Sequence, residues 1–142
     1  DEDAALRERM IHAAERAHAD HFIRDLPNGY QTQVGDRGVR LSGGQKQRLF
    51  VARELFKQPN VLLLDEATSD LDTASEQHIQ SSIDALQGEV TVVIIAHRLS
   101  TVKNADRVYV LDDGRVVEAG SYHELRSRKN GEFREMVEMQ SL

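Results

Sequence analysis

Apolar residues recur at helical spacing near the start of the chain. Leu6, Met10, Ala13, Ala14 and Ala17 form one stripe, which predicts a helix over about residues 3–17. A short second helix is expected to carry Phe22 and Ile23, and Pro27, Asn28 and Gly29 end it. Residues 29–40, with Gly29, Gly35 and Gly38, read as a loop; Ser42-Gly43-Gly44 then opens a helix over 43–57 that stops at Pro59. The periodicity changes beyond that point. Residues 61–64 (Val-Leu-Leu-Leu) and 90–95 (Val-Thr-Val-Val-Ile-Ile) are short apolar runs, which suit parallel strands covered on both faces. A helix over about 74–86, with Ile79, Ile83 and Leu86 on one stripe, separates them and makes a βαβ unit. Val108–Leu111 and Val116–Val117 flank Asp113-Gly114, a hairpin turn pair. The tail from Ser121 reads as two helices whose apolar contacts are Tyr122, Leu125, Phe133, Met136 and Val137.

Composition narrows the picture. The 142 residues are enough for one modest domain with a core, and 39% hydrophobic with 30% charged residues is the balance of a soluble globular chain. A net charge of −6 removes any electrostatic reason to expect nucleic acid as a partner. The absence of cysteine excludes a disulfide framework and thiolate-held zinc. No apolar run approaches the roughly 20 residues that span a bilayer. The chain opens on Asp-Glu-Asp without a basic, hydrophobic leader and without an initiator Met, so it reads as a piece of a longer protein.

Three places carry candidate chemistry. Strand 61–64 runs straight into Asp65 and Glu66, which puts two carboxylates at the C-terminal edge of a parallel sheet, where α/β proteins bind ligands. One carboxylate can hold hydrated magnesium and the next can orient or deprotonate a water, although an acidic lead-in to the next helix would look the same. At Leu41-Ser42-Gly43-Gly44-Gln45, glycines at a helix start let a phosphate reach free N–H groups and the positive end of the helix dipole. A plain helix cap by Ser42 is the competing reading. His97 directly follows the strand at 90–96 and so has access to the same sheet edge as Asp65 and Glu66. The other histidines, His12, His18, His21, His78 and His123, fall on predicted helices. Of these only His18 and His21 have the three-residue spacing of a metal pair, and an incidental placement is the simpler reading.

In this order the segments are far more specific than any one alone. Leu-Ser-Gly-Gly-Gln-Lys-Gln-Arg at 41–48, Leu-Leu-Leu-Asp-Glu-Ala-Thr-Ser at 62–69, Leu71-Asp72 and Ala96-His97-Arg98 resemble the ATP-binding-cassette (ABC) ATPases, over about residues 10–126. The resemblance makes 41–45 the signature motif, 61–66 the Walker B strand, 69–72 the D-loop and His97 the switch histidine. Residues 32–38 are similar to the loop that faces the coupling helices of the membrane domains in exporters, and 97–102 also look like the exporter branch. Two positions depart from the pattern: Asp70 stands where a small residue is usual, and Asp36 where Glu is.

The resemblance implies an α/β fold: a partial P-loop NTPase core of the RecA-like kind, with a parallel sheet and flanking helices, plus a helical subdomain. Residues 1–58 would be the helical signature subdomain, 59–120 the second half of the catalytic core and 121–142 C-terminal helices. Asp65 would position Mg2+ through water, Glu66 would act as the catalytic base and His97 would contact the γ-phosphate. Leu41, Ser42, Gly43, Gly44 and Gln45, with Asp72 of the D-loop, would engage ATP, the signature residues closing on nucleotide held by a second cassette. Such a cassette works at the cytoplasmic face of a membrane with transmembrane domains as partners. Soluble ABC ATPases of DNA repair or of the ribosome are the alternative. No Gly-x-x-x-x-Gly-Lys-Ser/Thr occurs in the 142 residues. The phosphate-cradling loop and its lysine are therefore not in this sequence, and the chain by itself is expected to be inactive and to expose unpaired strand edges and apolar faces.

Overall fold

The computed structural model describes residues 2–65, 73–96 and 98–140. The chain forms two compact units, residues 1–95 and 96–142.

The first unit contains α1 (Glu2–Arg16), α2 (Asp20–Arg24), a single 3-10 turn at Gly29–Gln31, α3 (Gly43–Phe56), β1 (Val61–Asp65), α4 (Thr73–Ala85) and β2 (Thr91–Ile95). Small residues on α1 (Ala13, Ala14 and, just past its end, Ala17) are buried where the helix packs on α3. They join Phe22 and Ile23 of α2, Val51 and Leu55 of α3, Leu62 and Leu64 of β1, and Ile79, Ile83 and Leu86 in and after α4 in one core. Leu6 and Met10, expected on the buried stripe of α1, are instead 42% and 36% exposed. They line an apolar groove of about 740 Å³ together with Phe22, Leu41, Leu49 and Phe56.

Strands β1 and β2 pair in parallel, with Val61 opposite Thr91 and Asp65 opposite Ile95. The apolar runs suit strands covered on both faces, and within these 142 residues one of the two faces is covered. Leu62 and Leu64 are buried, while Val61 and Leu63 are 59% and 63% exposed and Val93 and Ile95 are 46% and 47% exposed. Side chains alternate across a strand, and only the inward set meets the helical core, so the expected bare apolar face is present.

The second unit contains α5 (Leu99–Val102), β3 (Val108–Asp112), β4 (Arg115–Gly120), α6 (Tyr122–Ser127) and α7 (Glu132–Gln140). The one-turn helix α5 has no counterpart in the sequence reading. β3 and β4 form the expected antiparallel hairpin through Asp113 (φ +45) and Gly114 (φ +71), the two left-handed residues that a tight hairpin turn with right-handed twist requires. A bulge between Val110 and Leu111 shifts the register. Val108, Val110, Tyr122, Leu125, Phe133 and Val137 make a separate core. Tyr122 and Phe133 meet edge to face at 5.4 Å. The Glu118 carboxylate accepts the Phe133 N–H at 2.8 Å, which fastens the start of α7 to β4.

Candidate functional site

The signature-like segment sits at the N-terminus of α3. Ser42 is the N-cap, with extended backbone (φ −63, ψ 163). Its Oγ accepts the Gln45 N–H at 3.2 Å, and Gln45 Oε1 accepts the Ser42 N–H at 2.9 Å, a reciprocal capping box. The helical ladder begins with Lys46 N–H donating to Ser42 C=O at 2.9 Å. Among the described residues, no hydrogen bond engages the N–H groups of Gly43 and Gly44, which occupy the first two helical positions. The cap leaves donors in hand. A hydroxyl that accepts through a lone pair can still give its proton, and a glutamine that accepts through oxygen keeps two amide hydrogens. The box is neutral and the first turn of α3 carries no acid, so neither offsets the positive end of the α3 dipole. Leu41, half-buried, packs against the core just ahead of the turn.

The approach to this turn is rigidly built. Asp20 Oδ1 accepts the Tyr30 hydroxyl at 2.7 Å, and both its oxygens accept Arg24 Nε at 2.8–2.9 Å. Burial pushes the Asp20 carboxyl up, but the hydrogen bonds from Tyr30 and Arg24 prevail and hold it below its ordinary value. Tyr30 is raised, by burial first and then by its bond to the Asp20 carboxylate. Residues 33–39 then fold back on themselves: Val39 N–H donates to Gln33 C=O at 2.9 Å and Gly35 N–H to Val39 C=O at 3.2 Å. A Cβ on Gly38 would lie 2.0 Å from the Gln33 carbonyl oxygen, so only glycine fits there.

Asp65 ends β1, exposed, beside Ile95 at the end of β2. It therefore stands at the C-terminal edge of a parallel pair, and a solvated carboxylate suits a magnesium ion that keeps most of its water. Among the described residues no hydrogen bond or ion pair joins Asp65 to the 41–45 segment. Glu66, Asp70, Asp72 and His97 lie outside the described residues. His18 does not continue the α1 face toward His21. It sits in the link between α1 and α2 with φ +51, while His21 Nδ1 lies 3.4 Å from Asp25. The ring of His18 instead neighbours His78 of α4, 6.3 Å away.

The structure adds one residue to which the sequence reading gave no role. Arg48 donates from Nε to the Gly44 carbonyl at 3.3 Å and from Nη1 to the His18 carbonyl at 2.9 Å, and its guanidinium lies 5.0 Å over the Phe22 ring. The four-residue spacing from Gly44 is legible in sequence, because it places Arg48 over the same turn. His18, 30 positions earlier, is not.

Comparison with known proteins bears on the whole arrangement. The family described as ABC transporter matches residues 2–69. An ATP-dependent lipid A-core flippase of Methylobacillus flagellatus is 57% identical over 121 residues, which are 85% of this chain and 21% of the flippase. ABC transporter B family member 18 of Arabidopsis thaliana is 48% identical over 141 residues, 99% of this chain and 11% of that protein. The chain thus spans about a fifth or less of the length of these relatives. A solved bacterial Atm1-family ABC exporter with ATP bound superposes with a TM-score of 0.83 at 47% identity, covering 96% of this chain and 24% of that one. Together with the capped Gly-Gly turn and the Asp65 strand end, these likenesses decide the family: the chain belongs to the ABC transporter family.

Proposed function

We propose that this chain supplies the signature turn and Walker B strand of a cassette that couples ATP binding and hydrolysis to export through transmembrane domains. The observation that carries this reading is the N-terminus of α3. There a neutral capping box and an exposed Gly43 at the first helical position, followed by a buried Gly44 that brings no side chain, leave the helix start and its dipole available to an anion. The likeness to an exporter at 47% identity supports transport over the soluble ATPases. In this reading residues 1–58 act as the signature subdomain, 59–120 as the second half of the catalytic core and 121–142 as C-terminal helices. The cassette works at the cytoplasmic face of a membrane with a second cassette as partner.

The residues present suit Mg-ATP. Phosphoryl transfer to water requires positioning and charge neutralisation more than covalent chemistry, and magnesium supplies part of that neutralisation when bound. Asp65 would hold the ion through water. Glu66, the next residue, would take the proton of the attacking water at its carboxylate. His97 would donate toward the γ-phosphate, and Asp72 would contact the partner's site. Ser42 Oγ–H, the Gly43 and Gly44 N–H groups and the Gln45 amide would close over the γ-phosphate of ATP held by the partner cassette, with Leu41 seated in the core behind them.

In the full-length protein Glu66→Gln is expected to lower ATP turnover by about 10²–10⁴-fold while Mg-ATP binding persists and ATP-bound dimers accumulate. Near-normal turnover in that variant would reduce Glu66 to a helix-start acid. The 142 residues alone hold no phosphate-cradling lysine loop, so calorimetric titration with Mg-ATP should show negligible binding; micromolar affinity would overturn the division of roles.

A further inference from the structure

Glycines at the first two positions of α3 open the backbone to a ligand, but they also remove every side chain that could fix the direction in which the turn points. Something else has to hold it. Resting on the proposed signature role, we infer that Arg48 is a positioning residue that aims the 42–45 turn by tying the Gly44 carbonyl to the junction between α1 and α2.

Three contacts of one guanidinium make the tie: Gly44 C=O at 3.3 Å, His18 C=O at 2.9 Å and the buried Phe22 ring at 5.0 Å. The anchor is itself stiff. α1 ends with His18 N–H donating to Glu15 C=O at 3.0 Å and Ala19 N–H to Ala14 C=O at 2.7 Å, which closes the helix around a left-handed His18. The His18 carbonyl is thereby aimed by two backbone bonds, and Ala17 and Ala19 on either side are fully buried. A planar fork can reach both carbonyls and still lie flat on a ring, which the point charge of a lysine cannot do. Glu15, Asp20, His21 and His78 line the adjacent cavity, Asp20 is engaged by Tyr30 and Arg24, and two of the bonds from Arg48 run to the backbone carbonyls of Gly44 and His18. Arg48 thus acts on the turn through its main chain.

The test uses the full-length protein. Arg48→Lys and Arg48→Met are compared with His78→Ala, which removes the ring beside His18 and leaves the Arg48 bonds intact, and with Gly44→Asp as reference. Thermal melting, Mg-ATP affinity of unpaired cassettes, ATP-driven dimerisation, and kcat and KM are measured on each. Both Arg48 variants should keep Mg-ATP affinity and lose about ten- to a hundredfold in dimerisation and kcat, the scale set by misplacing a reactive group by about 1 Å. His78→Ala should match the wild type. A folded Arg48→Lys with wild-type dimerisation and kcat overturns the role of Arg48, and if Arg48→Met does not fold, the lysine variant decides. An equal loss in His78→Ala overturns it too, by moving the effect to the imidazole contact. Gly44→Asp defective beside an unaffected Arg48→Lys removes only Arg48, whereas an inert Gly44→Asp removes the trans-acting signature turn as well.

Discussion

Two helices in this chain start with the same device and end up with different surfaces. α3 opens on Ser42-Gly43-Gly44-Gln45 and α6 on Ser121-Tyr122-His123-Glu124, and in both the serine hydroxyl accepts the third N–H while the third side chain accepts the serine N–H. In α6 the returning side chain is a carboxylate, held below its ordinary value chiefly by the Ser121 backbone N–H. Tyr122 is buried against Phe133, and the ring of His123 meets it edge to face. That end of α6 is charge-compensated and covered by side chains. In α3 the returning side chain is neutral and the intervening positions carry no side chains at all. The same local rule therefore builds a side-chain-covered cap in one place and, in the other, a neutral cap with no side chain at the first two helical positions, and the difference lies in the three residues that follow the serine.

The sharpest way to break this comparison is to put a carboxylate at the second helical position of each. In the full-length protein Gly44→Asp should leave the cassette folded and able to bind Mg-ATP. ATP-driven dimerisation and turnover should fall by about 10²-fold or more, the scale of losing preorganised donors at a developing charge. His123→Asp should leave turnover unchanged, because an acid in the first turn of a helix suits its dipole. Equal effects at the two positions would erase the distinction.

Removing the caps is the next test. Ser42→Ala and Ser121→Ala should each cost about 0.5–2 kcal/mol of stability, read by denaturant titration. Turnover per folded molecule should drop only for Ser42→Ala, and turnover that merely tracks the folded fraction would return Ser42 to a plain cap.

The smallest effect is in pH. Glu124 is depressed below its ordinary value of 4.5, so its contribution is complete above about pH 4.5 and is lost as pH falls through the lower value it has in the fold. Glu124→Gln should flatten this part of the acid limb in melts of the 96–142 unit. The Ser42 box holds no titratable group, and Gln45→Ala should change stability without changing its slope with pH. An acid limb that survives in Glu124→Gln would place the titration elsewhere.

Local patterns account for most of the elements. The helix starting at Gly43 follows from Ser-Gly-Gly-Gln, the hairpin from Asp113-Gly114 and the parallel pair from two apolar runs separated by a helical stripe, because in each the deciding interactions lie within a few residues. The candidate residues at 41–45 and Asp65 were legible for the same reason, as short motifs of distinctive composition. Long-range partners were not. Nothing in the periodicity of α1 separates Ala13 and Ala14, which meet α3, from Leu6 and Met10, which line an open groove. Nothing in two apolar runs says that Leu62 and Leu64 are buried while Val61 and Leu63 are exposed among the described residues, since residues covered on one face or on two can be equally hydrophobic. Arg48 is the clearest case. Its reach to Gly44 is a helical repeat that any reader of the chain can count, but its second acceptor is a carbonyl 30 residues earlier, exposed by a left-handed histidine. Chemistry that depends on residue type and close spacing is written along the chain. The direction in which that chemistry points is set by contacts between distant segments, whose partners are chosen only when the core closes.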